Sequence, residues 1–144
     1  MKIKKAQGQS IIEFALIFPI IFFLITGFFD LGRAVIYYTS LSHAVREVTR
    51  AAIVDNAALE AARTTPCCNP LVAMVKEKAI GLRGDYFTSI IIDPEPDSGS
   101  FETVLVSAEY SFDPVTPGIE LLLGGEDGII LRAQSKMWVA PGSK

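Results

Sequence analysis

The chain has 144 residues, 13 basic and 16 acidic, a formal net charge of −3, half of its residues hydrophobic and a mean hydropathy of +0.38. That size leaves room for one membrane helix and one small exported unit, not for a second domain. An acidic balance argues against nonspecific nucleic-acid binding, which depends on excess Lys and Arg at phosphates, so no nucleic-acid partner is expected.

A basic head, MKIKKAQ, is followed by Gly8 to Phe29, GQSIIEFALIFPIIFFLITGFF, whose only charge is Glu13. Ile11 to Phe29 is 19 residues, and a helix of that length spans roughly 30 Å, the hydrocarbon core of a bilayer. Backbone amides in lipid must be satisfied within the segment, so a helix is the spanning form. Lys2, Lys4 and Lys5 precede the run, whereas Asp30 and Arg33 cancel after it. Basic residues stay cytoplasmic, which predicts an internal N-terminus and export of residues 30–144. A cleaved secretory signal has the same basic start, but it needs a small-x-small site that Leu24 to Phe28 does not offer. The predicted organisation is a leader at 1–8, a transmembrane segment at 9–29 and an extracytoplasmic α+β domain at 30–144.

A carboxylate within an apolar helix costs roughly 2.5–3.5 kcal/mol, which makes Glu13 a functional candidate unless it sits at headgroup level. Pro19 lacks an amide and clashes with the carbonyl four residues earlier, predicting a kink or a loosened turn.

Gly8-Gln9-Ser10-Ile11-Ile12-Glu13-Phe14 resembles the prepilin cleavage motif: a glycine, then glutamate and an aromatic, behind a basic leader. The wider stretch GQSIIEFALIFPIIFFLITGFFDLGRA, with HAVREVTRAA after it, is similar to TadE-like pseudopilins of tight-adherence (Flp-type) pilus machines. The likeness is close over residues 8–54 and looser beyond. Related TadG-like proteins share this start, and some carry large additional domains for which 144 residues leave no room. The resemblance implies cleavage after Gly8 by a prepilin peptidase, freeing an ammonium on Gln9 one turn from Glu13. Loss of Lys2, Lys4 and Lys5 would take the net charge from −3 to −6. It further implies recognition through Glu13 and Phe14, and location in the bacterial inner membrane. Its implied partners are other pilins and the assembly platform; no cofactor is implied. The expected fold is pilin-like: a long helix half in the membrane, a second helix, then a three- or four-stranded antiparallel sheet.

Beyond Asp30 the helix should continue to about Val54. Ala34, Tyr38, Leu41, Val45, Val48 and Ala52 recur at alternating spacings of four and three, a stripe expected to cover the protein's own sheet. His43 and Glu47 lie one turn apart and are expected to pair at the surface. Helix potential persists to Arg63, then Pro66 and Pro70 break it. Cys67 and Cys68 are adjacent in that loop. A vicinal disulfide, a bond to another subunit and free thiols all remain open, because adjacent pairing is strained. No metal site is expected, since the sole histidine is distant in sequence.

Residues 70–83 read as a second helix with Val72, Val75, Ala79 and Leu82 on one face. Tyr86 to Ile92 reads as a strand. Thr103 to Phe112 alternates, with Val104, Val106, Ala108, Tyr110 and Phe112 on the apolar side. In Ile129 to Val139, Leu131, Ala133, Met137 and Val139 oppose Arg132, Gln134, Lys136 and Trp138. One-sided alternation means a sheet covered on one face, with Glu109 able to meet Arg132 or Lys136. Asp93 to Gly99 looks superficially like a calcium loop, but its prolines, and Val104 where a bidentate glutamate belongs, favour an acidic hairpin loop. The apolar stretch Ile119 to Leu123 is expected to be buried. No nucleophile elbow, phosphate loop or paired metal ligands are present, so no enzymatic role is expected; the resemblance implies a role in pilus biogenesis and adhesion. The alternative is an uncleaved, signal-anchored extracytoplasmic scaffold or adhesin.

Overall fold

A long unbroken run of apolar and good helix-forming residues becomes a single helix, α1, over Ala6–Val54. The structure, a computed structural model, describes residues 6–64, 70–96, 102–117, 119 and 129–139. The leader up to Lys5, Cys67 and Cys68, and all of Ile119 to Leu123 except Ile119 lie outside those residues. Helix α1 continues through Pro19 without a break, although the carbonyl of Ala15 loses the amide donor that any other residue at 19 would supply.

The helix does not simply fade towards Arg63. It stops at Val54, and a separate helix α2 (Asn56–Thr64) begins. Asp55 makes the junction: its Oδ1 accepts the amides of Ala57 and Ala58 at 3.0 and 3.1 Å, capping the new N-terminus. Helix α3 covers Pro70–Lys78, shorter than the predicted 70–83. Gly81, at φ +83°, turns the chain out in a left-handed conformation that a side chain would resist. A single 3₁₀ turn at Gly84–Tyr86 leads into the sheet.

The sheet has three strands among the described residues, β1 (Phe87–Pro96), β2 (Glu102–Phe112) and β3 (Ile129–Val139), in the order β1-β2-β3 and antiparallel throughout. β1 runs past the expected Ile92 because Asp93 to Pro96 pair with Leu105 to Glu102, so part of the expected acidic loop is strand. Proline is tolerated there because β1 is an edge strand. Glu109 lies opposite Arg132 and pairs with it, as one of the two expected partners.

One face of the sheet is covered by the helices. α1 crosses β2 and β3, α2 packs on β1, and α3 packs on α1. The core is built from Leu41, Val45, Val48 and Ala52 of α1, Val75 of α3, and Val104, Val106, Ala108 and Tyr110 of β2. Each fully buried aliphatic side chain contributes roughly 1.5–3 kcal/mol relative to exposure. These contacts bear out the predicted apolar side of β2. Its other side is less open than expected, since Thr103 is fully buried. A central strand has neighbours on both sides, and here Trp138 stands directly opposite.

Two expectations fail on α1. Tyr38 is 49% exposed, whereas Tyr37 packs edge-on against Tyr110 and Phe112 at 5.9 and 5.8 Å. Positions three and four residues before Leu41 flank the same stripe, and the sheet lies on the Tyr37 side. Glu47 pairs with Lys78 of α3 at 2.7 Å instead of with His43, because packing of α3 on α1 brings a stronger cation across.

Candidate functional site

The candidate functional segment is α1, and its geometry falls into a head, a rod and an exit. In the head, Gly8 and Gln9 already lie within the helix. One turn separates Gln9 from Glu13, and the Gln9 Nε2 donates to the Glu13 Oε1 at 3.3 Å. The two groups named by the motif therefore share a helix face. Phe14 opens a ladder on the same helix, with ring centroids 5.5 Å from Phe18 to Phe14 and 6.1 Å from Phe18 to Phe22.

No residue of the rod from Ile11 to Phe29 is buried, and all but Thr26 and Gly27 are exposed. None of the most apolar 18-residue window of α1 is buried, and the helix is long and apolar enough to cross a membrane. A soluble core helix would bury that face. The one hydroxyl late in the rod, Thr26, is internally satisfied by the carbonyls of Phe22 and Phe23 at 3.0 and 3.1 Å.

At the exit, the sequence shows Asp30 and Arg33 as cancelling charges within the family-like DLGR stretch. The structure gives Asp30 a different task. Its carboxylate is 2% exposed and accepts the Val115 amide at 3.0 Å, the Thr116 amide at 2.7 Å and the Thr116 hydroxyl at 2.6 Å. Arg33 adds a fourth donor at 3.1 Å and lies over the rings of Tyr37 and Phe112. Burial disfavours the charged form of Asp30. The hydrogen bonds from Thr116 and Val115, with the Arg33 charge, outweigh it and hold the carboxyl below its ordinary value. The exit of the rod is thus clamped to the segment that follows β2.

Pro19 lies mid-rod as expected, and Cys67 and Cys68 lie outside the described residues. Among the described residues no group of three or more His, Cys, Asp or Glu is placed to hold a metal ion.

Residues 8–50 match the family model of the TadE-like proteins. This segment is TadE-like. It takes in the Gly8–Phe14 motif, the whole rod, the Asp30–Arg33 exit and the core residues Leu41, Val45 and Val48. The TadE-like family is one of pilus structural components, and the match points to a protein associated with the Tad pilus. No curated protein and no solved structure matches the chain. The match ends within α1, so α2, α3 and the sheet lie outside it.

Proposed function

We propose that this chain is a minor pilin or pseudopilin of a tight-adherence (Flp-type) pilus, cleaved after Gly8 by a prepilin peptidase and assembled through α1. The observation that carries the reading is the Gly8–Phe14 motif at the head of an apolar helix that buries none of its rod, inside the TadE-like match. Cleavage removes the basic leader and places a new ammonium on Gln9, on the helix face of Glu13. In lipid the two charges neutralise each other, within one subunit or between neighbours, which lowers the cost of a carboxylate at that depth and sets the register of packing. The lysines of the leader keep the N-terminus cytoplasmic in the inner membrane, with residues 30–144 extracytoplasmic. A loosened turn at Pro19 lets the rod adapt to neighbouring helices.

N-terminal sequencing of the mature protein, made together with its peptidase, tests this. A chain starting at Gln9 supports the pilin. An intact Met1 supports an uncleaved, signal-anchored scaffold or adhesin, and a start near Phe28 shows that the rod is a discarded export signal.

A further inference from the structure

Past Phe29, the side of α1 turned away from the sheet stays apolar: Leu31, Val35 and Ile36 are each more than half exposed, and Tyr38 follows. Such a face does not end in bulk water, so the bilayer surface falls between Phe29 and Tyr38, with tyrosine at the level where it concentrates. Nine residues of helix cover about 14 Å, room for a headgroup layer of about 5–8 Å.

On the sheet side of the same rungs lies a cleft of about 330 Å³, lined by Arg33, Tyr37, Arg83, Tyr86, Tyr110 and Asp113. Arg33 gives a donor to Asp30, whereas the exposed Arg83 guanidinium lies over the Tyr86 ring at 5.6 Å and has no acidic partner among the described residues. The Tyr110 hydroxyl accepts the Arg83 amide at 3.4 Å and keeps its own proton to donate. Asp30 already neutralises Arg33 and Asp113 adds a second acid to the lining, so the pull on an anion comes from Arg83, the cation here without an acidic partner among the described residues.

We propose that this cleft holds the phosphate of an anionic phospholipid headgroup, with Arg83 as the principal cation, Arg33 beside it and the tyrosine hydroxyls as neutral donors. A guanidinium fork matches phosphate oxygens, and a cation resting on an aromatic ring is oriented before the ligand arrives. Phosphate chemistry alone does not separate a lipid from a soluble anion; the depth of the cleft does. The inference rests on α1 crossing the bilayer, as in the proposed function.

The full-length chain in phosphatidylcholine nanodiscs containing a minor fraction of phosphatidylglycerol is extracted in mild detergent, and co-purifying lipid is quantified. Wild type should retain phosphatidylglycerol about tenfold better than Arg83→Gln, the loss of one charge-assisted contact. Arg50→Gln, an equal charge change on the exposed upper part of α1, should match wild type, and Asp113→Asn should retain more. Equal retention by wild type and Arg83→Gln, or no rise for Asp113→Asn, overturns the site. Release of the bound lipid by inorganic phosphate as readily as by excess phosphatidylglycerol overturns the lipid assignment in favour of a soluble anion. A chain that does not enter the nanodisc overturns the membrane reading itself, a failure distinct from loss of lipid selectivity.

Discussion

Asp30, where the apolar rod of α1 ends, and Thr116, just beyond the end of β2, are separated by 86 positions and joined by two hydrogen bonds of 2.6 and 2.7 Å. The helix is therefore tied at that point to the segment that follows β2 in its own domain. A rod attached only through its upper half would swing relative to the sheet. With Asp30 bonded to Val115 and Thr116, any force along the rod is passed directly to β2.

Removing that tie should destabilise the domain. Asp30→Ala leaves the buried hydroxyl and amide of Thr116 and the part-buried amide of Val115 without an acceptor, and Arg33 without its carboxylate. The expected loss is about 2–3 kcal/mol, the scale of hydrogen bonds to a charged group. Thr116→Val removes a single donor and should cost about 1 kcal/mol. Denaturant unfolding of the full chain in detergent, followed by far-UV circular dichroism, measures both. The double variant should be less than additive, because the two side chains share a bond; full additivity would show that they act separately.

The same carboxylate sets an acid limit. Its folded value lies below the ordinary carboxyl value of 3.8, so the unfolded chain takes up the proton first as pH falls. The stabilisation is present in full above the unfolded value and declines as pH drops through the folded one. Melting temperatures of wild type should therefore fall more steeply below pH 4 than those of Asp30→Asn, which has no proton to take up. Parallel curves would remove Asp30 as the group responsible.

The two ends of the fold were legible in different degrees. The rod announces itself by composition, and the core faces of β2 and β3 by alternation, because each signal repeats along one continuous segment. The exit clamp gives no such signal. Asp30 three residues before Arg33 looks like a local ion pair, while its strongest partners are a threonine and two amides far along the chain. The choice of Tyr37 over Tyr38 is equally hidden, since both flank the stripe and only the position of the sheet decides between them. Asp55 ahead of an alanine-rich stretch did carry a local signal, an N-cap, but continuous helix propensity on both sides masked it.

Leu31 and Leu41 stand on the same helix and should respond in opposite ways. Leu41 is fully buried against the sheet, and Leu41→Ala should cost about 2–5 kcal/mol through lost burial and a cavity. Leu31 is 63% exposed on the outward face, so Leu31→Ala should leave the unfolding transition of the detergent-solubilised chain within about 0.5 kcal/mol of wild type. Its effect should appear only where that face has a neighbour, as reduced recovery of the protein in the membrane or pilus fraction. A large loss of stability for Leu31→Ala in isolation would mean that this face is part of the folding core.

Glu13 separates processing from assembly. Its carboxylate already meets Gln9 across one helical turn, and in the proposed mature chain that residue carries the terminal ammonium. Glu13→Ala keeps Gly8 and the leader intact, so cleavage should proceed and the product should still begin at Gln9. The uncompensated ammonium then has no acid at its depth, and an unpaired charge in lipid costs several kcal/mol, enough to remove most of the subunit from an assembly held by helix packing. Glu13→Gln keeps the shape and a hydrogen-bonding group without the charge, and it should assemble as poorly as alanine if charge is the determinant. Quantifying the tagged subunit in sheared pili and in the membrane fraction, beside N-terminal sequencing of the same samples, reads both steps at once. Normal recovery of Glu13→Ala from sheared pili would leave the glutamate as a feature of the cleavage motif alone.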